Sequence, residues 1–163
     1  MYSLNMNAQD KANEERIIGV FLKYANGLHN GKRRFTAEKI PEVKEGEFRK
    51  ALDYRILEGD VIVAYAEVKR RNLDYAGMVR LGGLFLSEKK YKVLRRRTGS
   101  FRCIYIAELN DVIGYHSIND DRIVDKFMGG GGATNRNSPD DIERMFVFDP
   151  NQFKVISERN PNP

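Results

Sequence analysis

The 163 residues fit one domain, long enough to bury roughly 70% of the unfolded surface, and 41% hydrophobic against 31% charged residues describes a soluble globular protein rather than a disordered one. No apolar run approaches the roughly 20 residues needed to span a bilayer, and residues 1–16 lack the apolar core of a secretion signal, so no membrane or export role is expected and the location reads as cytoplasmic. The net charge of +5 is unevenly spread: residues 1–107 carry 22 Lys and Arg against 13 Asp and Glu, residues 108–163 carry 6 against 10, so part of the molecule suits a polyanion.

Residues 1–9 read as a loose leader. Over residues 10–24 a helical period sets Ile17, Ile18, Phe21 and Leu22 in one apolar stripe, with Asp10 as N-cap and Asn26-Gly27 as stop. A basic turn at Asn30-Gly31-Lys32-Arg33-Arg34 precedes a strand at 35–40 and a charged loop at 41–47. Residues 51–57 and 61–68 are apolar runs flanking Glu58-Gly59-Asp60, which predicts a β-hairpin. Residues 73–81 have no decisive period, and Gly82-Gly83 breaks the chain before a second helix that Ser87 caps and that runs to about Arg97.

Residues 101–109, FRCIYIAEL, are rich in strand formers, and residues 112–118 supply the partner strand after a turn at Asn110-Asp111. Cys103, the single cysteine, excludes an internal disulfide and reads as buried filler in a reducing compartment. The glycines at 129–132 lead into a mobile loop, and without a following Gly-Lys-Ser/Thr they are not a phosphate-cradling loop. Ser138-Pro139-Asp140-Asp141 offers an N-cap, a first-position proline and two early acids, predicting a short helix to Arg144 or Met145. Late strands at 146–148 and 153–156 flank a turn at Asp149-Pro150-Asn151, and residues 160–163 form a frayed tail. His29 and His116 are isolated, so neither is assigned to zinc.

The hairpin carries the chemistry. A turn centred on Glu58-Gly59-Asp60 makes paired residue numbers sum to about 118, so Asp53 lies opposite Tyr65 or within one or two residues of it; with direct opposition, side-chain alternation puts Asp53, Glu67 and Lys69 on one face. Cross-strand and diagonal neighbours lie roughly 4.5–8 Å apart, within bridging distance of one cation. Asp60 is about 23 Å from Glu67 along the strand and is a turn residue. The strand around Glu67 is apolar, and a carboxylate there needs a cationic partner or a metal. Glu-x-Lys also occurs at Glu42-Val43-Lys44 and Glu88-Lys89-Lys90, but only Glu67-Val68-Lys69 ends an apolar strand whose preceding arm holds an aspartate. A purely structural ion pair is the competing explanation.

Asp53, thirteen intervening residues and Glu67-Val68-Lys69 resemble the PD-(D/E)XK nuclease superfamily, which includes restriction-type endonucleases and junction resolvases. The resemblance covers about residues 10–118, with 119–163 as a C-terminal extension in a single nuclease-like domain. Leu52 stands where a proline often precedes the aspartate. The resemblance implies an α/β, restriction-endonuclease-like fold with a mixed central sheet flanked by helices. It also implies a metal-dependent deoxyribonuclease in which Asp53 and Glu67 bind Mg²⁺ (or Mn²⁺), the Val68 carbonyl adds a third ligand and Lys69 positions the attacking water. Family members often add a glutamate from the first helix, a role open to Glu14 or Glu15, and Glu15 is taken with the metal ligands. The stretch from Gly82 to Tyr91 is similar to small phage-encoded members in which a helix lysine lies near the site, and Lys90 is the better match.

Arg70, Arg71 and Lys90 are the expected nucleic-acid contacts beside that site, with Lys89, Lys92 and Arg96 sharing one helix face. The partner is then DNA, with no membrane. Nicking needs one site and a double-strand cut needs two-fold paired sites, so a homodimer is an open arrangement. A catalytically silent nucleic-acid binder with the nuclease fold is the alternative function.

Overall fold

The computed structural model describes residues 3–40, 53–130 and 142–158. The first helix, α1 (Ser3–Leu28), feeds a six-stranded sheet through β1 (Phe35–Lys39), β2 (Tyr54–Glu58), β3 (Val61–Arg70), β5 (Arg102–Glu108), β6 (Val112–Ser117) and β9 (Lys154–Glu158), in the order β1-β2-β3-β5-β6-β9. Only β3 and β5 run parallel; every other neighbour is antiparallel. The crossover between them holds α2 (Tyr75–Arg80), the short β4 (Phe85–Ser87) and α3 (Glu88–Arg97). β4 belongs to a second sheet, β4-β8-β7, with β7 (Ile123–Gly130) and β8 (Ile142–Phe148). This is the mixed sheet flanked by helices that the sequence predicts. Among the described residues no helix is long and apolar enough to cross a membrane.

Two apolar layers fix the central strands. On one face Ala64, Ala66 and Val68 of β3 and Ile104 and Ile106 of β5 pack with Ile17 and Ile18 of α1. On the other, Cys103, Tyr105 and Ala107 of β5 pack with Met78 of α2, Leu84 just before β4, Leu86 of β4, Leu94 of α3 and Phe148 of β8. Both faces of β5 are therefore covered, which is why its sequence reads as a continuous apolar run rather than an alternation. Cys103 is fully buried, and burial lifts its thiol to about 11, so it is inert filler.

Several local expectations are corrected. α1 begins at Ser3, so residues 3–9 are helix, and Asp10 lies inside it rather than capping it. Its exit is set by Asn30 and Gly31 in the left-handed region, while Asn26 brackets β1 by accepting from the Phe35 N–H at 2.7 Å and donating to the Phe35 carbonyl at 3.3 Å. The ambiguous stretch after the hairpin is α2, capped by Asp74, whose carboxylate accepts from the Gly77 N–H. The helix expected after Ser138 is absent from 142 onward: Ile142–Phe148 is a strand with a partner on each side. Pairing on both edges satisfies its backbone and buries four consecutive apolar residues, which outweighs the capping signal. Gly129 and Gly130 end β7 rather than open a loop. The expectations for residues 41–47, 51–52, 131–141 and 160–163 fall outside the described residues. The strands of the expected C-terminal extension are woven into both sheets, since β8 pairs β4 and β7 while β9 pairs β6.

The mount of α3 depends on Gly83. Its φ is +129°, and an added Cβ would stand 2.0 Å from the Phe148 carbonyl oxygen, at the point where the Phe148 N–H donates to Leu84 at 2.8 Å. A side chain there meets both backbone strain and rigid backbone. Gly83→Ala should lower unfolding stability by about 2 kcal/mol or more in urea titrations; an unchanged midpoint would show that the β4–β8 junction can relax.

Candidate active site

The hairpin register differs from the expected one by two residues. Tyr65 faces Arg55 and Ala66 faces Tyr54, because the turn centres on Gly59-Asp60 and a bulge between Ile56 and Leu57 adds one more step. A shift of two preserves side-chain parity. Asp53, just before Tyr54, thus stays with Glu67 and Lys69 on the face that also carries Tyr65, opposite to α1. Asp60 is an exposed turn residue.

Asp53 meets β3 directly. β2 reaches only to Tyr54, and beyond it one Asp53 carboxylate oxygen, Oδ2, accepts the Val68 backbone N–H at 2.9 Å. Glu67 is completely buried, and so is Tyr105, its neighbour on β5. Its Oε2 takes the Lys90 ammonium at 2.6 Å and the Lys69 ammonium at 3.3 Å. Its Oε1 is also buried and has no hydrogen-bond partner among the described residues. Lys90 arrives from α3, which Ser87 starts by accepting from the Lys90 N–H at 3.3 Å and which Leu94 anchors in the core.

Charges in this cluster are shifted in distinct directions. Burial pushes the Glu67 carboxyl above the ordinary glutamate range, against the pull of Lys90. Burial likewise holds the Lys69 ammonium below the usual lysine value, although Glu67 opposes it. Burial weighs most on Lys90 too, but the Glu67 and Asp53 carboxylates together overcome it and hold its ammonium above the usual value. Of the two lysines, Lys69 therefore yields its proton more readily.

A second buried carboxylate provides an internal comparison. Glu108 on β5 is as buried as Glu67 but shares parity with Ile104 and Ile106 and faces α1. The Arg16 guanidinium spans both of its oxygens, and Arg70 Nε lies 3.2 Å from Oε1. Both of its oxygens are engaged, and a completed pair of this kind is structural. Glu67 has one oxygen left over.

The remaining candidates are dispersed. Arg70 is bound to Glu108, and Arg71 donates to the Tyr105 hydroxyl at 3.2 Å and the Phe85 carbonyl at 3.1 Å while lying over the Phe85 ring. Both guanidiniums brace β3 against β5 and β4, which basic spelling alone does not reveal. Glu14 pairs with Lys39, and Glu15 is exposed on α1, the helix covering the opposite face. Among the described residues no three Asp, Glu, His or Cys side chains gather as a metal cluster, so neither helix glutamate joins Asp53 and Glu67 in one. Among the described residues, the carboxylate oxygens at this site are those of Asp53 and Glu67. A buried carboxylate oxygen without a donor, beside a second carboxylate, fits a hard divalent ion of the kind that keeps several positions for water and phosphate.

The model of the family described as "Phage putative PDDEXK endonuclease" matches residues 30–156, well over half of the chain. No curated protein matches.

The sign of the Glu67 shift fixes a pH dependence. A carboxyl whose folded value is raised binds its proton more tightly in the folded state, so its stabilising effect is complete below the ordinary glutamate range and is lost as pH rises through the folded value. In thermal unfolding with a chelator, wild type minus Glu67→Gln should therefore fall in stability across that window; a difference that rises with pH would refute the burial-driven shift.

Proposed function

The chain belongs to this phage PDDEXK endonuclease family, and from that premise we propose that it is a metal-dependent nuclease hydrolysing phosphodiester bonds of DNA. The observation that carries the reading is the buried Glu67 carboxylate, with one oxygen on two lysines and the other without a donor, beside Asp53.

In this reading Asp53, Glu67 and the Val68 carbonyl hold Mg²⁺ or Mn²⁺. The ion supplies Lewis-acid neutralisation of the charge that builds on the phosphate. Asp53 keeps Oδ2 on the Val68 N–H, so its other oxygen serves as ligand and its carboxylate stays locked to the strand carrying Glu67. Lys69, about one-third exposed at its side chain, orients the attacking water from Nζ and stabilises developing negative charge. Burial lowers the proton affinity of its ammonium, which eases proton transfer at Nζ. The setting is the cytoplasm of a phage host, and a double-strand cut would call for two copies with paired sites.

The test is cleavage of single-stranded, duplex and branched DNA with Mg²⁺, Mn²⁺ or chelator. Cleavage should require the ion, and Asp53→Ala, Glu67→Ala and Lys69→Ala should each lose roughly 10²–10⁴-fold in rate while still binding DNA. No ion-dependent cleavage of any substrate refutes the enzyme, leaving the silent binder if DNA is still bound. Full activity in Glu67→Ala moves the site elsewhere.

A further inference from the structure

Both lysines of the cluster reach the same oxygen of Glu67. Lys90 Nζ lies 2.6 Å from Oε2 and Lys69 Nζ 3.3 Å from it, while Oε1 is buried without a hydrogen-bond partner among the described residues. We propose that Lys90 is a positioning residue: it pins Oε2 of Glu67 and so presents Oε1, unencumbered, to the divalent ion, in place of the DNA-contact role its basic character suggests. This rests on the nuclease reading above.

A glutamate side chain loses the torsional freedom of several bonds when it is fixed, and an untethered Glu67 could present either oxygen. Lys69 is poorly suited to fix it, since it extends from the same strand two residues away and sits at the longer distance. Lys90 comes from a different element, held by the Ser87 cap and by the buried Leu94, and its contact is short and charge-assisted. Only 25% of its side chain remains exposed. Glu108 shows the contrast: arginines engage both of its oxygens and leave none for an ion. Ligand-orienting partners of this kind typically carry 10–100-fold in metal affinity.

The competing roles predict different signs. An ammonium that merely competes with the ion for Glu67 would, when removed, let the ion bind more tightly. An ammonium that only touches DNA would leave DNA-free metal affinity unchanged. A positioning lysine, when removed, weakens the ion.

The experiment is calorimetric titration of Mn²⁺ into the full chain without DNA, for wild type, Lys90→Met, Lys90→Arg and Glu67→Gln. Lys90→Met should bind Mn²⁺ roughly 10–100-fold more weakly, Lys90→Arg should recover part of the loss, and Glu67→Gln should abolish binding. Unchanged or tighter binding by Lys90→Met, with binding still lost in Glu67→Gln, overturns this inference alone. No Mn²⁺ binding by wild type, with or without DNA, overturns the nuclease reading and this inference with it. Should Lys90→Met not fold, the wild type still decides: the Lys90 ammonium signal in NMR should stay protected from solvent exchange on adding Mg²⁺, and loss of that protection would refute a persistent Lys90–Glu67 contact.

Discussion

A carboxylate with no solvent exposure, on a strand with both faces covered, is the constraint around which this molecule is built. An isolated buried charge is prohibitively costly, so Glu67 can exist there only if other elements bring it partners. Its own strand supplies Lys69 and α3 supplies Lys90, while Asp53, just before β2, adds a like charge that those two ammoniums must also offset. The placement of α3 is in turn a matter of Gly83, β4 and β8. The second sheet thus serves the site, although none of its strands contributes a charged group to Glu67.

Sheet parity then separates chemistry from architecture. Glu67 and Glu108 lie on neighbouring parallel strands and are equally buried, yet point to opposite faces. The α1 face closes its carboxylate with guanidiniums, planar groups matched to both oxygens. The α3 face uses lysines, point donors that crowd one oxygen and leave its twin. The choice of cation on each face follows this division.

The hairpin and the shared face of Asp53, Glu67 and Lys69 were legible because β-sheet periodicity is exact at two residues. The register came out two positions from the expected one, yet the shared face survived, since a shift of two leaves parity intact. The bulge after Ile56 had no spelling to betray it. Local signals failed where distant pairing overrode them: Ser138-Pro139 announces a helix, but the residues from Ile142 onward are claimed by β4 and β7. Arg70 and Arg71 read as a basic tract for a polyanion, and their internal partners, Glu108 and Phe85, lie far along the chain. That Lys90 belongs beside Glu67 was implied by family likeness, whereas which oxygen it holds is a matter of three-dimensional geometry alone.

Asp53 has a double duty with a consequence for descent. One of its oxygens closes the Val68 backbone and so belongs to the fold. An asparagine would keep that acceptor and discard the negative charge. A single-base change in an aspartate codon can produce that residue, so lineages carrying this scaffold lie one mutation from a protein that keeps the Val68 contact but lacks the charge the proposed reading assigns to a metal ligand. Under the nuclease reading, loss of cleavage without loss of folding is then an easily reached evolutionary state, and a relative with asparagine at this position would be its trace.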